Sequence, residues 1–292
     1  MSNELAMIAT TAASLTLTTG ELLSLQPGTN QVLTSLEGWF SPAGTRRSGT
    51  ERLWAHGTFS ERGWRDQRVI SVGGHIFTET RSAAAEMTDT LSAALADGTA
   101  GQFIVDDADL GRRTATVFIS GTPTVEWDGG VDIFFGIDMV APDPRKYGEL
   151  VTLDTPAASP GGGLVMDLFT GANAGVLDFG DSGNPGTVTF ENVGTADTAP
   201  VFTVSGYAPG FTITEVNTGA RLIYSQTVAA GQTLVLNAAD GSVLLDGYAD
   251  RSAYLTRREW TRVNGKSRAT YLFESLGNVG ATLQIGVKPA WW

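Results

Sequence analysis

Between residues 131 and 140 the side chains alternate in character. Val131, Ile133, Phe135, Ile137 and Met139 fall on one face, Asp132 and Asp138 on the other. A period of two predicts a half-buried strand. Shorter runs predict strands at residues 15–18 and 22–25, with Gln26-Pro-Gly-Thr-Asn30 as the turn after them. Trp39 and Phe40, followed by Ser41-Pro-Ala-Gly-Thr-Arg-Arg-Ser-Gly49, predict a strand running into an exposed loop. The β pattern continues through residues 53–57, Trp64 and residues 68–72, and Gly73-Gly74 predicts a tight turn before residues 75–78. Two hairpins follow. One pairs residues 102–105 with 114–119; the other pairs 125–127 with 131–139 across Asp128-Gly129.

One segment changes period. From residue 82 to 96 the chain is Ala-rich, with Met87, Leu91 and Leu95 four apart, which predicts a helix of about four turns with a single apolar stripe. Ser82 is the expected cap, Glu86 is expected in the first turn, and Gly98 suits the residue beyond the end.

After the long strand, Pro142 and Pro144 each remove a backbone donor and bias the preceding residue towards an extended form. The chain is expected to leave the sheet rigidly through Pro142, Asp143, Pro144, Arg145 and Tyr147. Thr155-Pro-Ala-Ala-Ser-Pro-Gly-Gly-Gly163 has a linker composition and predicts two domains, residues 1–148 and 149–292. In the second half only strand signals appear, at residues 187–191, 200–204, 211–216, 221–228, 233–237, 243–245, 254–255 and 282–287. Gly, Asn and Pro turns separate them, the spacing of a β-sandwich.

Composition narrows the function classes. The 292 residues suit two domains and contain no cysteine, so disulfides and thiolate metal sites are excluded. Net charge is −12. Residues 1–148 hold 18 acidic and 11 basic side chains, net −7; residues 149–292 hold 13 and 8, net −5. Acid on both halves argues against wrapping nucleic acid or adhering to anionic membranes. No run approaches the ~20 apolar residues needed to span a bilayer, and the N-terminal stretch lacks the positive start of a secretory signal.

Three patterns imitate chemistry. Gly180-Asp-Ser-Gly183 has the form of a serine-protease nucleophile, with Ala55-His56 upstream, but Asn184-Pro follows, and a turn between strands explains it fully. Asp106, Asp107 and Asp109 lack the bidentate Glu of a calcium loop, since Phe118 stands at the twelfth position. His56 and His75 have no ligand-spaced partner. No catalytic residue, metal or cofactor is expected.

Ala141-Pro-Asp-Pro-Arg-Lys-Tyr-Gly148 resembles the Asp-Pro-(X)-Arg-Tyr-Gly junction of siphophage distal tail proteins, particularly those of phages of actinobacteria. Arg52, Ala55-His56-Gly57, Arg68 and Gly73-Gly74 fall where that family carries a basic–Gly–basic pattern. In the second half, Asn184-Pro-Gly-Thr187, the segment 199–206, the segment 240–247 and Ala290-Trp-Trp292 resemble the family's galectin-like C-terminal domain. The turn after Trp260 departs from the usual Leu-X-Pro-Gly-X-Asn. The resemblance implies a mainly β protein, with a sheet or split-barrel first domain carrying one packing helix and a galectin-like β-sandwich second. It implies a virion structural protein at the tail tip, made in the host cytoplasm and not an enzyme. The first domain would close a six-membered homo-oligomeric ring between the tail tube protein and the tail-tip hub and other minor tail proteins. Genomic DNA would meet it only in passage. On that basis Asp106, Asp107, Asp109 and Asp128, at hairpin turns, are candidates to face the channel and repel DNA. The alternative is a carbohydrate-binding, receptor-recognising tail component, with Tyr207, Tyr224 and Trp260 as sugar-stacking candidates and Trp291 and Trp292 as further ones.

Overall fold

The computed structural model describes residues 11–17, 20–93, 98–163, 175, 182–277 and 280–292. The chain divides into two compact units, Met1–Glu149 with Trp292 and Leu150–Trp291. It is mainly β. Among the described residues no helix is long and apolar enough to cross a membrane.

The first unit begins with β1 (Thr11–Leu17), β2 (Gly20–Leu25) and β3 (Gln31–Glu37). Four short strands follow, β4 (Thr45–Arg46), β5 (Gly49–Glu51), β6 (Thr58–Ser60) and β7 (Trp64–Arg65). Then come β8 (Arg68–Ile76), α1 (Arg81–Ala93), β9 (Gly101–Asp107), β10 (Gly111–Ile119), β11 (Thr124–Asp128), β12 (Asp132–Ala141) and β13 (Lys146–Tyr147). The main sheet runs β2-β1-β9-β10-β12-β8-β3, with β11 on β12 and β13 on β10. β10 is where the sheet folds over. It pairs along its length with β9, yet meets β12 only through Phe118↔Val140 and Ile119↔Met139. The two wings enclose one core, to which Ile133, Phe135, Ile137 and Met139 contribute from β12, Ile70, Val72 and Ile76 from β8, and Phe103 and Val105 from β9. Trp39 meets Phe103 edge-on, ring centres 5.4 Å apart. Ala84 and Leu91 of α1 are buried in the same core, and Met87 packs against it.

Several expectations change here. Gly73-Gly74 is not a turn but the middle of β8. A side chain at Gly74 would strike the Phe135 ring, and one at Gly73 would strike Ser35, so glycine is required by cross-strand packing rather than by a bend. The helix is capped by Thr80, not Ser82: Thr80 Oγ1 accepts from Ala83 N (3.2 Å). With the helix starting at Arg81, Glu86 stands beyond the first turn. The expected end of the helix at Leu95 and Ala96 lies outside the described residues.

The second unit holds β14 (Val151–Pro156), β15 (Thr187–Asn192), β16 (Val201–Ser205), β17 (Phe211–Glu215), β18 (Arg221–Tyr224), β19 (Thr233–Asn237), β20 (Ser242–Leu245), β21 (Ala249–Asp250), β22 (Leu255–Arg258), β23 (Ser267–Ser275), β24 (Thr282–Val287) and β25 (Ala290–Trp291). A sheet in the order β14-β24-β16-β19-β20-β21 faces one in the order β15-β23-β17-β18-β22. Their inward residues form one core. Phe202 from one sheet meets Tyr271 from the other edge-on at 5.1 Å. The architecture is a β-sandwich.

Part of the segment expected as a linker, residues 155–159, is built into the sandwich. Residues 151–156 form an edge strand whose register runs from Val151↔Val287 to Pro156↔Thr282. Ser159 then makes an isolated bridge to Asn184. Pro156 ends the strand at the sheet's border, where a missing donor costs nothing.

Candidate assembly interface

The residues between β12 and β13 are pinned to the first unit from both sides. Asp143 organises the turn: its Oδ1 accepts from Arg145 N (3.1 Å) and pairs with Arg145 Nη1 (3.2 Å), and its Oδ2 accepts from Tyr147 OH (2.6 Å). Tyr147 stands opposite Thr114 of β10, whose Oγ1 donates to the Tyr147 carbonyl at 3.3 Å. Burial, then the bond to Asp143, pushes the Tyr147 phenol well above its usual pKa. Pro142 and Asp143 are exposed; Pro144, Arg145 and Tyr147 are half-buried.

Sequence reasoning missed the two cations that hold this turn. Arg68 is 1 % exposed. Its Nε donates to Pro144 O (3.0 Å), and its Nη1 donates to Gly38 O (2.7 Å), Ser41 O (2.6 Å) and Trp39 O (3.3 Å). Lys146 is 4 % exposed, donates to Trp39 O (3.0 Å), and lies 5.7 Å from the centre of the Trp39 ring. Among the described residues neither forms a salt bridge. Burial, then the nearby charges of Arg68 and Arg113, lowers the Lys146 pKa to about 8. These two side chains tie the exit from β12 to the Gly38–Ser41 stretch that follows β3. One signal for Arg68 was available: it occupies the inward phase of β8, in step with Ile70 and Val72.

That stretch is the root of a projecting arm. β4 pairs with β7 and β5 with β6, two ribbons in series that form sheets of their own. Arg52 N donates to Gly57 O and closes the tip. From Gly44 to Glu51 the ribbon is about 25 Å long at strand rise. Its apolar side chains face solvent: Trp54 is 97 % and Leu53 88 % exposed, and Phe59 and Trp64 are exposed as well. Arg52 lies over Phe59 and Arg62 over Trp64, each 4.8 Å from the ring centre.

The four acids separate. Asp106, Asp109 and Asp128 are exposed. Asp107 is not, at 7 % exposure, so it is withdrawn as a channel-facing candidate. It accepts from Thr11 Oγ1 (2.9 Å), Asp109 N (3.0 Å) and Leu110 N (2.9 Å), which makes it the internal brace of the β9–β10 turn. Burial alone would raise its pKa; these hydrogen bonds and the Arg113 charge outweigh that and lower it.

The aromatic candidates do not form a platform. Tyr224 is 2 % exposed and stacks on Phe211 inside the sandwich, so it offers no face to a sugar and is withdrawn. Trp260 packs against the core, Tyr207 is exposed, and among the described residues no ring contact joins the three. Of the protease-like tetrapeptide, Gly180 and Asp181 lie outside the described residues; Ser182 is exposed, and the neighbouring Asn184 makes an isolated bridge with Ser159 and donates its N–H to Ser159 Oγ at 3.2 Å. His56 sits exposed at the arm's tip. Among the described residues no group of His, Asp and Glu side chains could hold a metal ion.

No family model matches the sequence, and no curated protein matches it either. Solved structures do. SPP1 Dit, described as a paradigm of the hub adsorption apparatus in phages infecting Gram-positive hosts, superposes with a TM-score of 0.64 at 14% identity, over 94% of this chain and 98% of its own. A chain of the phage P2 baseplate in its activated conformation with calcium gives 0.53 at 9% identity, over 94% and 97%. The corresponding strontium form gives 0.52 at the same identity and coverage. Over nearly its whole length, the chain therefore has the fold of the phage distal tail proteins represented by SPP1 Dit.

Proposed function

We propose that this protein is a structural component of a phage tail tip. Its first unit forms the six-membered ring that joins the tail tube to the tip complex and leaves an axial passage for DNA. The observation that carries this reading is the end-to-end likeness in fold to SPP1 Dit, over 98% of that chain. Fold alone does not fix function. Two features of this chain support the same role. The turn after β12 is braced by Arg68 and Lys146 rather than left as a tether, which suits a part that must carry load. The exposed acids Asp106, Asp109 and Asp128 remain candidates for a channel wall, where like charge keeps phosphates from adhering. The role requires no catalysis. The protein would be made in the host cytoplasm and act in the virion.

Negative-stain images of the purified full chain test this directly. Annular particles with six-fold symmetry are expected. A chain that stays monomeric at the highest attainable concentration, alone and with tail tube protein added, refutes the ring.

A further inference from the structure

We propose that the brace under the turn after β12 is a binding site for a small monovalent anion of the chloride class, held by Arg68 Nη2 beside Lys146. The proposal does not rest on the ring reading. It starts from unfilled donors. A guanidinium carries five N–H groups and an ammonium three, and neither has an acceptor of its own. Arg68 Nε and Nη1 are taken up by the carbonyls of Pro144, Gly38, Trp39 and Ser41. Nη2 is buried, and among the described residues it has no acceptor. Buried polar groups are nearly always bonded, and an orphan on a charged side chain calls for water or an ion.

Charge selects the ion. Lys146 Nζ donates to the same Trp39 carbonyl that Arg68 Nη1 meets, at 3.0 Å and 3.3 Å respectively. The two cationic nitrogens are therefore separated by no more than those two bonds laid end to end. Arg68 cannot shed its proton, and water beside it would leave both buried charges uncompensated. Among the described residues the charges that act on this pair are positive: Arg65 on Arg68, and Arg68 with Arg113 on Lys146. The two acids of the region are engaged elsewhere. Asp107 holds Thr11 and the amides of Asp109 and Leu110, and Asp143 holds Arg145 and Tyr147.

Burial sets the size. Arg68 is 1 % and Lys146 4 % exposed, so the ligand gives up its hydration shell on entry. That cost is far greater for phosphate or sulfate, whose extra charge and oxygens also demand further donors, than for a single monovalent ion. An anion that bonds only the folded state stabilises it. Above the dissociation constant, each tenfold rise in chloride raises the folding equilibrium constant about tenfold. The anion also holds the Lys146 proton more tightly, so chloride-free buffer is the condition in which that lysine's own titration is read.

The test is urea unfolding of the full chain while sodium gluconate, whose anion is too large to enter, is replaced stepwise by sodium chloride. Fixed ionic strength keeps screening constant. The folding constant should rise about tenfold per decade of chloride above a midpoint, and bromide should substitute for chloride. Arg68→Lys keeps the charge but lacks Nη2, and it should abolish this dependence. Lys146→Met keeps most of the stem and should move the midpoint at least about tenfold higher; it carries the test where Arg68→Lys fails to fold. Crystals grown with bromide should show an anomalous peak within bonding distance of Arg68 Nη2. Equal wild-type stability in the two salts overturns the proposal: Nη2 then meets water, and any bromide peak is an adventitious ion only. A chloride dependence left unchanged by Lys146→Met places the anion elsewhere and overturns it as well.

Discussion

Lys146 offers a quantitative test of the braced turn. Its folded-state pKa is near 8, against about 10.4 for a solvated lysine. A gap of this size corresponds to about 3 kcal/mol spent on keeping the ammonium charged in the core at neutral pH. Below pH 8 the group is protonated in both states, and the full cost is present. Between pH 8 and about 10.4 the folded state releases its proton while the unfolded state keeps it, so stability rises with pH. From pH 7 to pH 9.5 the gain from this one group is about 2 kcal/mol. Lys146→Met keeps most of the stem and removes the charge; Trp39 O loses Nζ but retains Arg68 Nη1. The variant should be more stable than wild type by about 1–2 kcal/mol at pH 7, after about 1 kcal/mol for the lost hydrogen bond. That advantage should vanish near pH 9.5. Urea unfolding followed by tryptophan fluorescence, in steps from pH 7 to 9.5, measures both slopes. Other titrating groups cancel in the difference, and Tyr147, raised above its usual value, begins to lower stability only above about pH 10. Parallel slopes for the two proteins would refute the assignment of a charged, buried Lys146.

Arg68→Met should do the opposite, leaving the carbonyls of Gly38, Ser41 and Pro144 without this donor and costing about 3 kcal/mol in the first unit's unfolding. Tyr147→Ala should cost about 1–3 kcal/mol by the same assay, and Tyr147→Phe only the part due to the bond with Asp143. Asp107→Ala removes the acceptor for three donors and should cost about 2–3 kcal/mol at pH 7; because the wild-type pKa is lowered, its advantage over the variant should fade as pH drops through the acid range. Gly38→Ala should fold poorly, since Gly38 has φ +76° and a Cβ there would run into Val69 O, and circular dichroism at 25 °C suffices to see it.

Much of this architecture could be read from period and turn chemistry. The strand around Phe135 and most strands of the sandwich follow from alternation, and the helix from the spacing of Met87 and Leu91. Failures have physical causes. β23, the longest described strand of the second unit, is absent from the predicted strands although Arg268, Thr270 and Glu274 alternate with its inward Ala269, Tyr271 and Phe273; only Leu272 breaks the contrast. The segment 151–156 was obscured by the Pro and Gly residues beside it. Gly73 and Gly74 read as a bend because a sequence does not reveal which ring will lie across a strand. Buried cations are harder still. Arg68 and Lys146 donate to carbonyls 76 and 107 positions away, at Pro144 and Trp39 respectively, and Arg68 Nη2 is buried without an acceptor. Tertiary closure creates those acceptors.

The register of β14 with β24 has a consequence for how such proteins diversify. Val151, at the entrance of the second unit, stands opposite Val287, near its far end. A body that starts and finishes on adjacent strands presents its two attachment points side by side. Replacing everything between them by a different body with equally close ends adds little chain-closure entropy and leaves the braced turn untouched. The pairing of those two valines thus makes the second unit a body that can be exchanged as a whole.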